Sequence, residues 1–308
     1  MIIIEPHQGL NTPTVATIGM FDGVHRGHLS LIEQVSDIAT SKGLGKSVVT
    51  FSTHPREVIQ PGYKMSLLNT FEERMSHLEQ TGIDNAIVLD FTPQLAQLTA
   101  QQFITMLHNT YNIQVLCIGY DHRFGHNRSE GFEEYCRYGE ALGMEIIQAQ
   151  ELNCRECSIS SSAIRKMLVA GNISAANKML GYNYNISGVV VSGRQIGREL
   201  GFPTANIQPN NSQKLIPALG VYAVKVTLPD NSRYAGIMNI GRRPTIEGNH
   251  DVSLEVHIFN FDSDLYNKQL TIELIDYIRE EKQFDSLTSL RKAIQQDTHT
   301  AYNILQDK

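Results

Sequence analysis

Residues 14–43 read "TVATIGMFDGVHRGHLSLIEQVSDIATSKG", and this stretch decides the fold. Its first part, "TVATIGM" (14–20), is apolar with little alternation, the pattern of a strand covered on both faces of a parallel sheet. A loop with two glycines, Gly23 and Gly27, follows. Then Leu31, Ile32, Val35, Ile38 and Ala39 recur at helical spacing, and Gly43 is suited to end that helix. Strand, loop and helix in that order open a βαβ unit.

Working outward, "SVVTF" (47–51), "AIVLD" (86–90) and "VLCIGY" (115–120) repeat the strand pattern, with helical patterns near 70–81, 99–109 and 131–142. Two short helices are expected near 161–170 and 173–180. After about residue 186 the rhythm changes. "ISGVVVSG", "GVYAVKVTL", "RYAGIMNIG", "VSLEVHIFNF" and "LTIELIDYI" are β-rich runs parted by Gly, Pro and Asn, with no helix expected between them. A small antiparallel barrel fits such spacing. Leu287, Leu290, Ile294, Tyr302 and Leu305 predict a closing helix over 286–305. The expected fold is α/β plus all-β: a Rossmann-like parallel-sheet domain at 1–182, then a barrel domain with a terminal helix at 183–308.

Composition agrees with two folded domains. The chain has 308 residues, against about 150 for a typical domain. With 41% hydrophobic and 19% charged residues it is no disordered polymer. Lys plus Arg number 26 against 32 for Asp plus Glu, a net charge of −6, which argues against nucleic acid or an anionic membrane as partner. No apolar run reaches the roughly 18 residues of a membrane span. The start, "MIIIEPHQG", lacks the basic flank of a secretory signal, and four cysteines make no disulfide scaffold. A cytoplasmic protein, monomeric or weakly homo-oligomeric, is the expectation.

Two segments carry chemistry. In the first, G-x-F-D-G-x-H-x-G-H spans 19–28 between strand and helix, where ligands of open parallel sheets sit. A lone H-x-x-H is most often a pair of solvated loop histidines. The longer pattern in this setting points instead to His25, His28 and the helix start facing a phosphate, with Gly27 leaving its backbone approachable. "ISSSAIR" (159–165) is either a serine-capped helix with a surface arginine or a phosphate-binding turn.

In the second, "GRQIGRELGFPTANI" (193–207), Thr204 and Asn206 lie two apart on an extended segment and so face the same way. Pro203 lacks an N–H and suits a strand start or edge. A hydroxyl and an amide oxygen on one face suit Mg²⁺ carrying ATP. Glu255 alternates with Leu254 and Val256 and so occupies the opposite face.

"GMFDGVHRGH" resembles the nucleotidyltransferase superfamily, and within it the adenylyltransferase half of bacterial bifunctional riboflavin kinase/FAD synthetases. "TFSTHPREV" (50–58) is similar to the family's T-F-x-P-H-P-x-x-V, with Thr53 at the proline. "GYDHRFGHNRSEG" (119–131) is similar to G-x-D-F-R-F-G, with His122 at the aromatic place. "ISSSAIRKML" (159–168) is similar to I-S-S-T-x-I-R-x-x-L. The string 193–207 resembles the riboflavin kinase segment G-R-x-L-G-x-P-T-A-N. The runs at 220–226, 235–245, 254–266 and 278–297 follow in family order, with Asn267 where the family has glycine after L-Y.

The resemblance implies that riboflavin and ATP give FMN, and that FMN and ATP then give FAD and pyrophosphate, with Mg²⁺ as cofactor and small molecules as partners. For adenylyl transfer it implies His25, His28 and Arg165 as catalytic residues. Gly19, Phe21, Asp22, Gly27, Ser161 and Ser162 would contact nucleotide, and His54, Asp121 and Arg123 flavin. For the kinase it implies Glu255 as base and Gly193, Gly197, Arg198, Gly201, Pro203, Thr204 and Asn206 around the nucleotide. Thr204 and Asn206 would hold the metal, and Arg279 the flavin. The alternative reading is a riboflavin kinase with a catalytically silent flavin- or nucleotide-binding first half. A cytidylyl- or pantetheine-type transferase would fit the first loop and leave the barrel unexplained.

Two further strings are decoys. "GLGKS" (43–47) has Thr40 where a phosphate-binding P-loop needs glycine, and it precedes a strand instead of following one. "CREC" (154–157) has no second ligand pair and reads as free thiols.

Overall fold

The computed structural model describes residues 1–6, 8–60, 62–119, 123–126, 130–150, 159–193, 196–244 and 250–306. Two compact units emerge, Met1–Ser160 and Ser161–Lys308.

The first unit holds strands β1 (Ile2–Ile4), β2 (Thr14–Ile18), β3 (Gly45–Phe51), β4 (Asn85–Leu89), β5 (Ile113–Ile118) and β6 (Glu145–Gln148). Its helices are α1 (Arg26–Lys42), α2 (Pro55–Ile59), α3 (Phe71–Glu79), α4 (Pro93–Ala96), α5 (Ala100–Tyr111) and α6 (Phe132–Glu140). The strands form one parallel sheet in the order β1-β4-β3-β2-β5-β6. β2 and β4 are buried at every residue, as their unbroken apolar runs required.

Alternate residues feed two cores. Val15, Val48, Ala86 and Val115 meet Ile32 and Val35 of α1 and Leu78 of α3 on one face. Ala16, Val49, Ile87 and Leu116 meet Ile104 and Leu107 of α5 and Tyr135 of α6 on the other. Gly43 ends α1 at φ 66°, a left-handed cap. From β2 the chain builds β3 and β4 to one side, then crosses to place β5 and β6 on the other. This reversal puts the loop after β2 at the switch point of the sheet.

The second unit contains α7 (Ser161–Val169), α8 (Ile173–Leu180), β7 (Asn185–Val191), α9 (Ile196–Glu199), β8 (Ala205–Pro209), β9 (Gly220–Thr227), β10 (Arg233–Pro244), β11 (His250–Ile258), β12 (Gln269–Arg279) and α10 (Leu287–Gln306). The strands close an antiparallel barrel in the order β10-β11-β8-β7-β12-β9. Strict alternation in β7 gives an inner and an outer face. α10 covers the outside of β9 and β10 through Ile294, Ala301, Tyr302 and Leu305 against Val221, Ala223, Ile237 and Phe259. The single turn of α9 interrupts a stretch whose sequence predicts no helix. Asn267 sits at φ 60°, the conformation its glycine-like place in the turn requires.

α7 and α8 belong with the barrel. Asn177 of α8 donates to Leu274 O at 2.9 Å and accepts from Tyr184 N–H at 2.8 Å, while Leu168 O of α7 accepts from Ala218 N–H at 3.1 Å. The compact division therefore falls at Ser160/Ser161, earlier in the chain than the expected boundary at 182/183.

Candidate active sites

The loop after β2 is strained. Phe21 (φ 51°) and Val24 (φ 34°) lie in the left-handed region beside Gly23 (φ 88°). Side-chain-bearing residues adopt it at a cost of about 1–3 kcal/mol each, and such strain clusters at ligand sites. It folds Phe21 into the core and sets its ring edge-on to His28 at 5.2 Å. His25 caps α1, its Nδ1 accepting the His28 N–H at 3.3 Å. A ring nitrogen that accepts carries no proton, so in neutral His25 the N–H is at Nε2.

The His25 and His28 rings stack 3.6 Å apart, 14° from parallel. Burial, and secondarily the His25 charge, hold the His28 pKa well below 6.5. Its buried Nδ1 has no hydrogen-bond partner among the described residues, leaving a polar atom for a ligand to meet. A Cβ on Gly27 would lie 3.2 Å from His25 Nδ1, so the bare Cα makes room for the capping ring. Gly19 similarly leaves space for the Phe21 ring, 3.3 Å from where its Cβ would stand.

Asp22 is spent inward. It is 3% exposed and accepts from Leu68 N–H at 3.0 Å and Asn69 N–H at 2.9 Å, anchoring the segment before α3. Buried Arg74 ties the ends of two strands together, donating to Met20 O at 3.1 Å and Phe51 O at 2.5 Å. Burial lowers its pKa to about 10, so it stays charged at neutral pH. Arg74 escaped the sequence reading because its helix looks ordinary.

His54 caps α2 after β3, Nδ1 accepting from Arg56 N–H at 3.2 Å, and exposed Arg123 follows β5. Since β3 and β5 flank β2, their loops flank the imidazole pair at one sheet end. Asp121 and His122 lie outside the described residues, as do Cys154 and Cys157. Ser161, Ser162 and Arg165 are on α7 of the second unit, with Ser162 exposed and the other two half-buried.

In the barrel, register aligns what the sequence scatters. Asn206 of β8 is opposite Glu255 of β11, Glu255 opposite Asn239 of β10, Asn239 opposite Val221 of β9, and Val221 opposite Arg279 of β12. Directly opposed side chains on one face stand about 5 Å apart. A cleft of about 600 Å³ opens over this row from Glu255 to Arg279, lined by Thr204, Asn239, Glu255, His257 and Arg279 on the barrel and by Phe284, Leu290 and Ile294 toward α10. A second cleft of about 370 Å³ is lined by Arg198, Pro203, Thr204, Val256, Ile258 and the turn 261–266. Successive β11 residues thus face different clefts, and Thr204 borders both.

Glycines shape the loop between. A Cβ on Gly193 would stand 2.0 Å from Asn206 Nδ2, and one on Gly197 would stand 2.4 Å from Phe202 O and 3.2 Å from Thr204 Oγ1. Gly201 takes φ 84°. Two bulges in β12, at Leu274/Asp276 and Tyr277/Arg279, re-aim its end. Asn239, His257 and Asp297 had no sequence signal, since only strand register and helix docking bring them to the cleft.

A parallel sheet with a strained, histidine-bearing loop at its switch point, joined in one chain to a barrel with a glutamate opposite a Thr–Asn segment, fits the class of two-domain transferases. The FAD synthetase family model matches residues 7–163 and the riboflavin kinase model residues 180–305. The bifunctional riboflavin kinase/FMN adenylyltransferases of Pseudomonas fluorescens and Escherichia coli K12 are each 35% identical to this chain, over 93% of it and 91% of theirs. A Streptococcus pneumoniae crystal structure described as a macrolide-efflux protein superposes with TM-score 0.91 at 29% identity, covering 98% of this chain and 99% of that one. Among the described residues here, no helix is long and apolar enough to cross a membrane. The chain belongs to the family of bifunctional riboflavin kinases/FMN adenylyltransferases.

Proposed function

We propose that the barrel phosphorylates riboflavin to FMN and the parallel-sheet unit adenylylates FMN to FAD, each with its own ATP. The observation that carries this reading is the register pair Glu255–Asn206, which sets a cleft-lining carboxylate opposite buried Asn206, while Thr204, two residues earlier in the chain, borders both clefts. The larger cleft, walled by Phe284, Leu290 and Ile294, suits the flat isoalloxazine, and the smaller one suits the adenosine end of ATP.

The 5′-hydroxyl of riboflavin is a poor nucleophile. Glu255 takes its proton as the oxygen bonds to the γ-phosphorus and ADP departs. The Thr204 hydroxyl and Asn206 amide oxygen are hard donors that would hold Mg²⁺. That ion would offset triphosphate charge. Gly193 and Gly197 keep Asn206 and Thr204 in place, and Arg279 faces the flavin side.

FMN arrives with its nucleophile already ionised. The first unit therefore needs alignment and charge stabilisation rather than a base: an FMN phosphate oxygen attacks the α-phosphorus of ATP, and pyrophosphate leaves. His25 Nε2–H and the His28 ring supply neutral donors at the start of α1. His54 and Arg123 keep the flavin part that the family pattern gives them. Asp22 serves by holding the 68–69 segment.

The silent-module alternative predicts FMN as the end product, whereas both family models and the bifunctional relatives favour two reactions. Incubation with riboflavin, ATP and Mg²⁺ tests this: chromatography should show FMN rising first and FAD following. FMN accumulating with no FAD contradicts it.

A further inference from the structure

Thr204 borders both kinase clefts, yet the backbone ladder that should hold it stops short. β8 pairs with β11 at only two positions, Glu255↔Asn206 and Val256↔Ala205. The next residues back, Thr204 and Pro203, lie beyond it, and Pro203 has no N–H to extend it. A side chain takes over there. His257, two residues after Glu255 and on the same face of β11, places Nδ1 2.8 Å from Pro203 O. A carbonyl oxygen only accepts, so Nδ1 carries the proton. The ring also meets Phe202 edge-on at 5.4 Å, while Phe202 N–H closes the loop onto Gly197 O at 2.8 Å.

We infer that His257 is a positioning residue for phosphoryl transfer: its Nδ1–H bond to the Pro203 carbonyl fixes Thr204 relative to Glu255. One rigid strand would then carry both the base and the clamp that registers the nucleotide loop against it. The inference rests on the kinase reading above and adds a residue to it. Small displacements of reacting groups cost roughly tenfold to a hundredfold in rate.

The test compares three variants by the rate of FMN formation. His257→Phe keeps the ring and removes the N–H. His257→Asn puts an amide N–H close to the place of Nδ1, whereas the longer His257→Gln puts it near the place of Nε2. The kcat for FMN formation should fall roughly ten- to hundredfold in His257→Phe and His257→Gln and return to within about threefold of wild type in His257→Asn. The riboflavin KM should move far less, and adenylylation of supplied FMN should stay unchanged in all three. Should His257→Phe fail to fold, the Asn and Gln pair carries the comparison. Wild-type kcat in His257→Phe, or equal loss in the Asn and Gln variants, overturns the inference. Wild-type protein that makes no FMN overturns the kinase reading instead.

Discussion

Asp297 holds the guanidinium of Arg279 by two hydrogen bonds, Nε to Oδ1 at 2.9 Å and Nη2 to Oδ2 at 2.7 Å. The carboxylate, on α10, is nearly buried, while Arg279 ends β12 and also donates to Glu280 O at 2.9 Å. The bidentate pair fastens the last helix to the barrel at the larger cleft and fixes the orientation of the guanidinium there. Removing the buried carboxylate leaves the half-buried guanidinium without its counter-charge and its two acceptors. Asp297→Asn should therefore raise the riboflavin KM roughly tenfold and lower the thermal midpoint of the barrel, with adenylylation of supplied FMN unchanged. Steady-state kinetics of both half-reactions check it.

Glu255 is a base only if its charge accepts a proton. Glu255→Gln keeps the shape and removes that capacity, so FMN formation should drop by about 10²–10⁴, the usual worth of a general base. FAD formation from supplied FMN should persist. Kinase turnover near wild type would take Glu255 out of the role.

The stacked imidazoles predict a pH dependence. Burial and the neighbouring His25 depress the folded-state pKa of His28, so below its ordinary 6.5 the unfolded chain binds more protons than the folded one. Stability of the first unit should thus fall as pH drops from about 6.5, and His28→Asn should flatten that slope. Adenylyl transfer, using neutral donors, should stay level from about pH 7 to 8. Thermal melts and pH–rate profiles separate these from an imidazolium mechanism, whose rate would decline across that range.

Gly193 tests the nucleotide loop. A methyl there would run into Asn206, so Gly193→Ala should cut FMN formation at least tenfold while leaving adenylyl transfer intact. Equal kinase rates would mean that Asn206 is free to shift.

Some of this was legible in the sequence. The unbroken apolar runs of β2 to β5 and the turn-punctuated β runs announced a sheet followed by a barrel, and Gly43 and Asn267 marked their left-handed turns. The short edge strand β1 carried no alternation to read. Likewise, nothing in the apolar stripes of α7 and α8 says which of two cores they join. The row Asn206–Glu255–Asn239–Val221–Arg279 depends on register among five strands, and neither pairing nor bulges can be read from one chain. Asp22 belongs to the motif, but its burial follows from where residues 68 and 69 happen to pass.

The claim that two ATP molecules are used at different phosphorus atoms is tested most directly by isotope. Riboflavin is incubated with the protein, Mg²⁺ and ATP labelled at either the α- or the γ-phosphorus, and FMN and FAD are separated. The account predicts γ-label in FMN and, carried forward, in FAD, with α-label in FAD alone. Label from the α-position in FMN, or FAD lacking either label, would contradict it.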